Sequence, residues 1–406
     1  MSSRMSPKHN LVLALLIAAA AWGVMRWWGQ PGLDERLAER VGLRERPGEV
    51  LADIMGVQAL HSDRLLELAG AQALGIGWTA DGRPALKLFL APGSPPVALD
   101  RVDGFPLIIE EAGPFVALAP QEAPSAREDR RPATSGRSAA PVSLALPIAL
   151  PDAWQDATAS GPGIVATEAG EMLPTSRFDR PVPMGISTGH TRSTAGTIGA
   201  VVTDGVNRYA LSNWHVYVPG GEGRIGDVLL QPGPVDGGAA PADEIGTLAA
   251  FEPVVLSPFA DNRIDAALAR TDDVMPRTPA DGYGSPTSRT LRARPGLEVQ
   301  KYGRTTGLTR GRIETINTSI NVSYGSAGSQ VARFNGQIII CCNFSAGGDS
   351  GSLIVAHDLD GEGEAGPNDR RPVALLFAGD RTRTIANPID LVLERFDVSI
   401  VSDDRD

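Results

Sequence analysis

The fold of this chain is limited most strongly by the pattern of apolar and turn-forming residues from about residue 175 onward. Short apolar runs alternate there with Gly, Pro, Asn and Asp, and no long helical periodicity appears until PIDLVLERF near the end. The 406 residues include 46 Gly and 32 Pro, a density that favours many turns and short strands over long helices. Short strands at close spacing are typical of sandwiches and barrels, so the sequence predicts a mainly β fold.

The N-terminal segment has the pattern of an export signal. Arg4 and Lys8 precede the apolar run LVLALLIAAAAWGVM at residues 11–25, and two tryptophans follow it. A basic head before such a run predicts a signal peptide or an uncleaved membrane anchor within residues 1–29. In either form the body of the protein is expected to be exported. We expect it in the periplasm, outside the cell, or anchored on the outer side of the cytoplasmic membrane.

Residues 30–119 and 120–160 differ in composition from the part that follows. In the first range, ALHSDRLLELAG has helical spacing, and several short apolar stretches read as strands. We interpret residues 30–119 as a small α+β accessory domain and residues 120–160, rich in Pro, Ala, Ser and Arg, as a flexible linker. Residues 161–406 then form the main β domain.

The net charge indicates which partners are excluded, and the cysteines indicate whether a disulfide supports the fold. The formal net charge of -11 argues against a nucleic-acid partner, because phosphate binding needs a concentrated basic surface. The two cysteines, Cys341 and Cys342, are adjacent, and neighbouring cysteines rarely bridge. We therefore expect two small apolar residues on opposite faces of a strand, and a fold that does not depend on a disulfide.

The stretch FSAGGDSGSLIV, residues 344–355, places a hydroxyl between glycines directly before an apolar strand. Glycines let backbone N–H groups approach a bound atom closely, so one interpretation is that Ser350 is a nucleophile on a stiff turn. The alternative is an ordinary hairpin, since Gly, Asp and Ser dominate such turns.

A nucleophilic serine needs a neutral base and usually a carboxylate that orients it. Of the five histidines, His215 differs because it ends the apolar strand RYALSNWHV, where a core strand delivers a polar group to a turn. Asp265 lies in NRIDAALAR beside a small apolar run, and a charge embedded in such a run needs a partner if it is buried. Asp261 is the competing carboxylate.

Taken together, LSNWHV, IDAALA and SAGGDSGSLIV stand in the order His, Asp, Ser and resemble the chymotrypsin-like serine proteases. With TAGTIGAVVTDG and VQKYGRTTGLTRGRI, the region from about 176 to 400 is similar to a bacterial branch of trypsin-like peptidases related to plant narrow-leaf type proteins. The resemblance implies two six-stranded antiparallel β-barrels with the active site between them. His215 and Asp265 would come from the first barrel and Ser350 from the second.

The resemblance also implies a serine endopeptidase that acts on protein or peptide substrates. Ser350 would attack the carbonyl, His215 would move the proton, and Asp265 would orient the imidazole. The amides of Gly348 and Ser350 would form the oxyanion hole, and neither a cofactor nor a metal is required. A non-hydrolytic protein-binding module on a protease fold is the main alternative, and an esterase using the same serine is a further one.

The same resemblance suggests where the substrate binds. Phe344, six positions before Ser350, would lie at the base of the primary pocket, and Phe377 and Gly379 would lie beside the substrate backbone. A phenyl ring at the base predicts a preference for small or medium uncharged side chains. One departure from the family pattern is Trp214, because small or amide residues usually precede the histidine.

Overall fold

The computed structural model describes residues 47–117, 173–325 and 330–403. The signal or anchor expected at residues 1–29 and the linker expected at 120–160 lie outside these described residues. Within the described part of the chain, no helix is both long enough and apolar enough to cross a membrane.

The described residues form three α-helices and 21 strands. The helices are α1 (Pro47–Leu66), α2 (Trp214–Tyr217) and α3 (Ile389–Phe396), and short 3₁₀ turns lie at Pro219–Gly221 and Pro234–Asp236. The strands before residue 200 are β1 (Ala71–Trp78), β2 (Pro84–Leu90), β3 (Arg101–Val102), β4 (Phe105–Glu111), β5 (Phe115–Ala117), β6 (Val182–Pro183), β7 (Ser187–His190) and β8 (Gly196–Thr197). The next are β9 (Ala200–Thr203), β10 (Arg208–Ser212), β11 (Val228–Leu230), β12 (Glu244–Phe251), β13 (Ala267–Arg270) and β14 (Val274–Met275). The last are β15 (Glu298–Gly303), β16 (Gly307–Tyr324), β17 (Gln330–Cys341), β18 (Leu353–Ala356), β19 (Pro372–Gly379), β20 (Thr384–Pro388) and β21 (Ser399–Ile400).

The first barrel is built from strands β7 to β13. Its strands follow the order β9-β10-β13-β12-β11-β7-β8, and every pairing is antiparallel. Strands β8 and β9 are separated by only two residues, so one stretch of chain contributes a strand to each end of this series, and β21 pairs with β9 on its other side. This antiparallel sheet confirms the first of the two predicted barrels.

The second barrel follows the order β15-β18-β19-β20-β17-β16, and β15 also pairs with β16, which closes the ring. All of these pairings are antiparallel. The segment VQKYGRTTGLTRGRI forms the first hairpin of this barrel, from β15 through a turn at residues 304–306 into β16. The chain therefore has the predicted mainly β architecture of two antiparallel barrels.

The N-terminal strands continue the sheet of the second barrel. Strand β1 pairs antiparallel with β16, with Ala73 opposite Ile320, and β2 and β4 follow outward. Helix α1 packs beside them, and Gln58 Nε2 donates to the carbonyl of Leu74 over 3.1 Å. The helix and strands expected for the accessory unit are present, while its domain boundaries stay a prediction.

The expectation that the two cysteines do not bridge is wrong. A disulfide joins Cys341 to Cys342. Strand β17 ends at Cys341, and Cys342 and Asn343 both have positive φ, 86° and 53°. Because the chain leaves the strand at this point, the two side chains do not alternate between opposite faces as they would in extended backbone.

Candidate active site

The structure brings His215 and Asp265 together at one end of the first barrel. Strand β10 pairs antiparallel with β13 so that Ser212 lies opposite Ala267. His215 follows β10 and Asp265 precedes β13, so both side chains emerge at the same end of this strand pair. His215 Nδ1 lies 2.8 Å from Asp265 Oδ2, and the His215 amide donates to Oδ1 over 3.3 Å.

Asp265 is completely buried, whereas its competitor Asp261 lies in a surface loop. The exposed carboxylate of Asp261 accepts a hydrogen bond from Asn335 Nδ2 over 2.8 Å. The buried carboxylate of Asp265 instead contacts three donor atoms, which are the amide and Nδ1 of His215 and the hydroxyl of Tyr324. A buried carboxylate needs such partners, because its desolvation is otherwise unfavourable by several kcal/mol per ion. The geometry thus favours Asp265 over Asp261 as the partner of the imidazole.

One of those donors, Tyr324, was not anticipated from the sequence. Its hydroxyl donates to Asp265 Oδ2 over 2.8 Å, and its ring meets the rings of Trp214 and His215 edge-on, each at 6.1 Å between centroids. Burial raises the pKa of Tyr324 well above its usual value, and the charge of Asp265 raises it further. The phenol therefore stays protonated and remains a donor. Nothing in the local pattern NVSYG marks this tyrosine as a site residue.

Two asparagines, also not anticipated, hold the backbone of Asp265. Asn387 of β20 accepts from the Asp265 amide over 3.1 Å and donates to its carbonyl over 3.2 Å. Asn213 donates to the same carbonyl over 2.7 Å. Because Asn387 belongs to the second barrel and Asp265 to the first, these bonds fix the carboxylate across the junction of the two barrels.

Ser350 lies in the loop between β17 and β18, and it is completely buried. Its Oγ donates to the carbonyl of Phe377 over 3.3 Å, and its own carbonyl accepts from the Thr197 amide over 2.7 Å. Nε2 of His215 is buried and has no hydrogen-bond partner among the described residues. The hydrogen bond between Ser350 and His215 that acyl transfer requires is therefore not formed in this conformation.

Gly196 shows how closely the loops of the two barrels approach. A Cβ atom at this position would lie 2.5 Å from Cγ2 of Val216 and 2.9 Å from the carbonyl oxygen of Ser350. Val216, which follows His215, and Ser350 thus both lie close to Gly196, where there is no room for a side chain. Thr197 extends the contact, because its Oγ1 donates to the carbonyl of Gly348 over 2.9 Å.

The carboxylate of Asp349 anchors the loop around Ser350. The Asp349 carboxylate accepts from the amides of Thr305 and Thr306, over 2.9 and 3.2 Å, and from the amide of Ala346 over 3.0 Å. Nζ of Lys301 lies 3.5 Å from the same carboxylate, and both side chains are fully buried. Burial lowers the pKa of Lys301, and the charge of Asp349 opposes this shift. The segment GRTTG, residues 303–307, therefore holds the loop that carries Ser350.

The three residues expected at the substrate pocket differ in their surroundings. The side chain of Phe344 is completely buried in the core of the second barrel, with Lys301 Nζ 5.9 Å from its ring centre. Phe377 packs its ring against Phe334, 4.8 Å between centroids, and only its carbonyl reaches Ser350. Gly379 ends β19, where its backbone pairs with Val116 on one side and Thr384 on the other.

Several solved structures are similar to this chain at low identity. Protease A of Thermobifida fusca is 20% identical, over 54% of this chain and 98% of its own, with a TM-score of 0.38. A glutamic acid-specific serine protease is 19% identical over 54% and 100%, with a TM-score of 0.38. The Cellulomonas bogoriensis chymotrypsin is 19% identical over 54% and 98%, with a TM-score of 0.37. These TM-scores are low, so the description of the fold rests on the strand pairings above.

No protein-family model matches the chain, and no curated protein matches it. The class that the two antiparallel barrels define is the chymotrypsin-like double-barrel fold.

Proposed function

We propose that the chain is a serine endopeptidase that hydrolyses peptide bonds through His215, Asp265 and Ser350. The observation that carries the proposal is the contact of 2.8 Å between His215 Nδ1 and the buried carboxylate of Asp265. This contact fixes the imidazole with Nδ1 protonated and Nε2 free to accept a proton, the tautomer that a general base needs. The motifs also support a place in the bacterial trypsin-like branch related to plant narrow-leaf type proteins.

In the proposed reaction, Ser350 Oγ attacks the peptide carbonyl and gives its proton to His215 Nε2. The imidazolium then donates this proton to the leaving amine, and water hydrolyses the resulting acyl-enzyme by the same route. Asp265 stabilises the imidazolium, while Tyr324 and Asn387 hold Asp265 in place. The amides of Gly348 and Ser350 stabilise the oxyanion, and no metal or cofactor takes part.

The proposed substrates are proteins or peptides with small or medium uncharged side chains before the cleaved bond. This preference follows from the expectation that Phe344, which carries no charge, closes the base of the pocket. We also propose that residues 1–29 direct export and that residues 161–406 form the catalytic domain. A reporter fused after residue 120 should be active only outside the cytoplasmic membrane, and activity in the cytoplasm would contradict the export proposal.

A fluorophosphonate probe tests the proposed nucleophile. Such probes react irreversibly with activated serines, so the adduct accumulates even when the site opens rarely. We expect mass spectrometry to find the adduct on Ser350 of the full chain and none in Ser350→Ala. The competing function is a non-hydrolytic binding module, which the missing Ser350–His215 hydrogen bond favours. That function requires Ser350 to stay unlabelled after prolonged incubation.

A further inference from the structure

Strand β5 lies along a strand edge beside the proposed nucleophile. It pairs antiparallel with β19, with Ala117 opposite Ala378 and Val116 opposite Gly379. Residues 115–117 come from the N-terminal part of the chain, whereas β19 is a central strand of the second barrel. The pairing therefore joins two segments that are more than 250 residues apart in sequence.

Along Ala378–Gly379, one edge of β19 pairs with no described strand of the barrel itself. Strand β20 covers one side of β19 along Ala374–Gly379. On the other side, β18 pairs with β19 only as far as Leu375. Beyond Leu375, β5 is the only described strand that pairs with Ala378 and Gly379 on this second side of β19. An open strand edge is the kind of surface to which an extended peptide adds by main-chain hydrogen bonds.

This edge of β19 begins beside Ser350, the proposed nucleophile. Ser350 Oγ donates to the carbonyl of Phe377, which directly precedes the two residues that β5 pairs with. The next residue of the loop, Gly351, donates its amide to the Leu376 carbonyl over 2.9 Å. A peptide strand laid along Phe377–Gly379 would therefore lead its backbone to Ser350. In this conformation Ser350 is fully buried, and the side chain of His215 is only 10% exposed.

Strand β5 is held from its other side as well. It pairs in parallel with the end of β16, with Phe115 opposite Val322 and Val116 opposite Ser323. The side chain of Phe115 is 1% exposed and belongs to the same core as Phe334 and Phe377. Just before the strand, the Gly113 amide donates to Asp380 Oδ2 over 3.1 Å. The strand is thus a built part of the structure and not a loose tail.

We propose that β5 occupies the edge to which a substrate strand binds, so that the full chain is held in a self-covered form. The proposal rests on the proposed function, because it identifies the occupant and the regulation of that same site. An external peptide must displace Val116 and Ala117 from Ala378 and Gly379 before its carbonyl reaches Ser350. The occupant carries no charge, as the expected specificity requires of a ligand at this edge.

Peptide binding in the absence of hydrolysis tests the proposal. The probe is a fluorescein-labelled peptide GPFVALAP, which copies residues 113–120, and binding is measured by fluorescence anisotropy to the full chain carrying Ser350→Ala. Val116→Pro in that background removes an amide hydrogen from β5 and disrupts its pairing. We expect the peptide to bind about tenfold more tightly to this variant, because a covering segment of the same chain competes at high effective concentration. Val116→Thr is the matched control, since it keeps the amide and the β-branched shape.

Equal affinity for Ser350→Ala with and without Val116→Pro would overturn the proposal, provided that thermal melting shows both chains to be folded. If Val116→Pro does not fold, Ala117→Pro breaks the same pairing one residue further along and takes its place. The two proposals fail separately. If the peptide binds more tightly to the proline variant but the same variant with Ser350 intact hydrolyses nothing, the covering strand stands and the endopeptidase assignment fails. If the peptide binds equally to both chains but the chain with Ser350 intact hydrolyses peptides, the endopeptidase assignment stands and the covering strand fails.

Discussion

At the scale of single residues, the Asp265 carboxylate depends on a donor that the other two members of the proposed triad do not supply. Tyr324→Phe removes the hydroxyl that donates to Asp265 Oδ2 and leaves the ring in place. Because a buried carboxylate then loses one of its partners, we expect kcat/KM to fall about tenfold while the fold is retained. Tyr302→Phe is the control, since that hydroxyl donates to Asp281. Equal kcat/KM for both variants would show that Tyr324 does not position the carboxylate.

The residues of the site differ in how far the sequence reveals them. Ser350, His215 and Asp265 stand in local patterns, a glycine-rich turn and the ends of apolar runs, so their chemistry is visible in short stretches. Tyr324 and Asn387 act through contacts 59 and 122 residues away in sequence. No local pattern encodes such contacts, because they arise only when the two barrels close. The two residues that hold Asp265 in place therefore could not be predicted from the sequence.

At the scale of elements, the turn between β15 and β16 supports the nucleophile loop through the buried pair of Lys301 and Asp349. Asp349→Asn leaves the Lys301 ammonium buried without its counter-charge, so we expect the free energy of unfolding to fall by about 3–5 kcal/mol. Adding Lys301→Met to this variant removes the unpaired charge and should recover part of the loss. Urea unfolding measures both effects. A loss below about 1 kcal/mol for Asp349→Asn would mean that the pair does not anchor the loop.

Most strands could be predicted from the sequence, but several of their partners could not. The stretches QALGIGWTA and PALKLFLA form β1 and β2 as their composition predicts. The pairing of β1 with β16 depends on a register between residues at least 240 positions apart. Strand β5 shows this most clearly, because Phe115 and Val116 pair with β16 while Val116 and Ala117 pair with β19. Pairing at such distances follows from tertiary packing and not from local propensity.

At the scale of the whole molecule, a ring of four charges joins the N-terminal strands to the second barrel. Lys87 Nζ lies 2.6 Å from Glu110 and 3.0 Å from Glu314, and Arg383 lies 2.6 Å and 3.0 Å from the same two carboxylates. The four side chains are 11–27% exposed. Charges of alternating sign that are this well buried contribute more than exposed pairs do.

This ring predicts a loss of stability in acid. Burial raises the pKa of Glu110, but hydrogen bonding to Lys87 and the nearby positive charges outweigh burial and leave this pKa below the usual 4.5. A lowered pKa means that the stabilisation is complete above about pH 4.5 and is lost as the pH falls through the lower folded value. We expect Glu110→Gln to lower the free energy of unfolding by about 1 kcal/mol at pH 7 and by progressively less below pH 4.5. The neighbouring exposed Glu111→Gln is the control, and a pH-independent effect of Glu110→Gln on melting would refute the prediction.

We propose that Ser350 performs peptide hydrolysis in a site that β5 covers. The most direct measurement is the cleavage of a peptide library, followed by mass spectrometry, by the full chain, by Val116→Pro and by each of these with Ser350→Ala. We predict slow cleavage by the full chain, faster cleavage by Val116→Pro, cut sites after small or medium uncharged residues, and no cleavage by either alanine variant. Cleavage that persists at the same rate in Ser350→Ala, or its absence from both chains with Ser350 intact, would contradict the account.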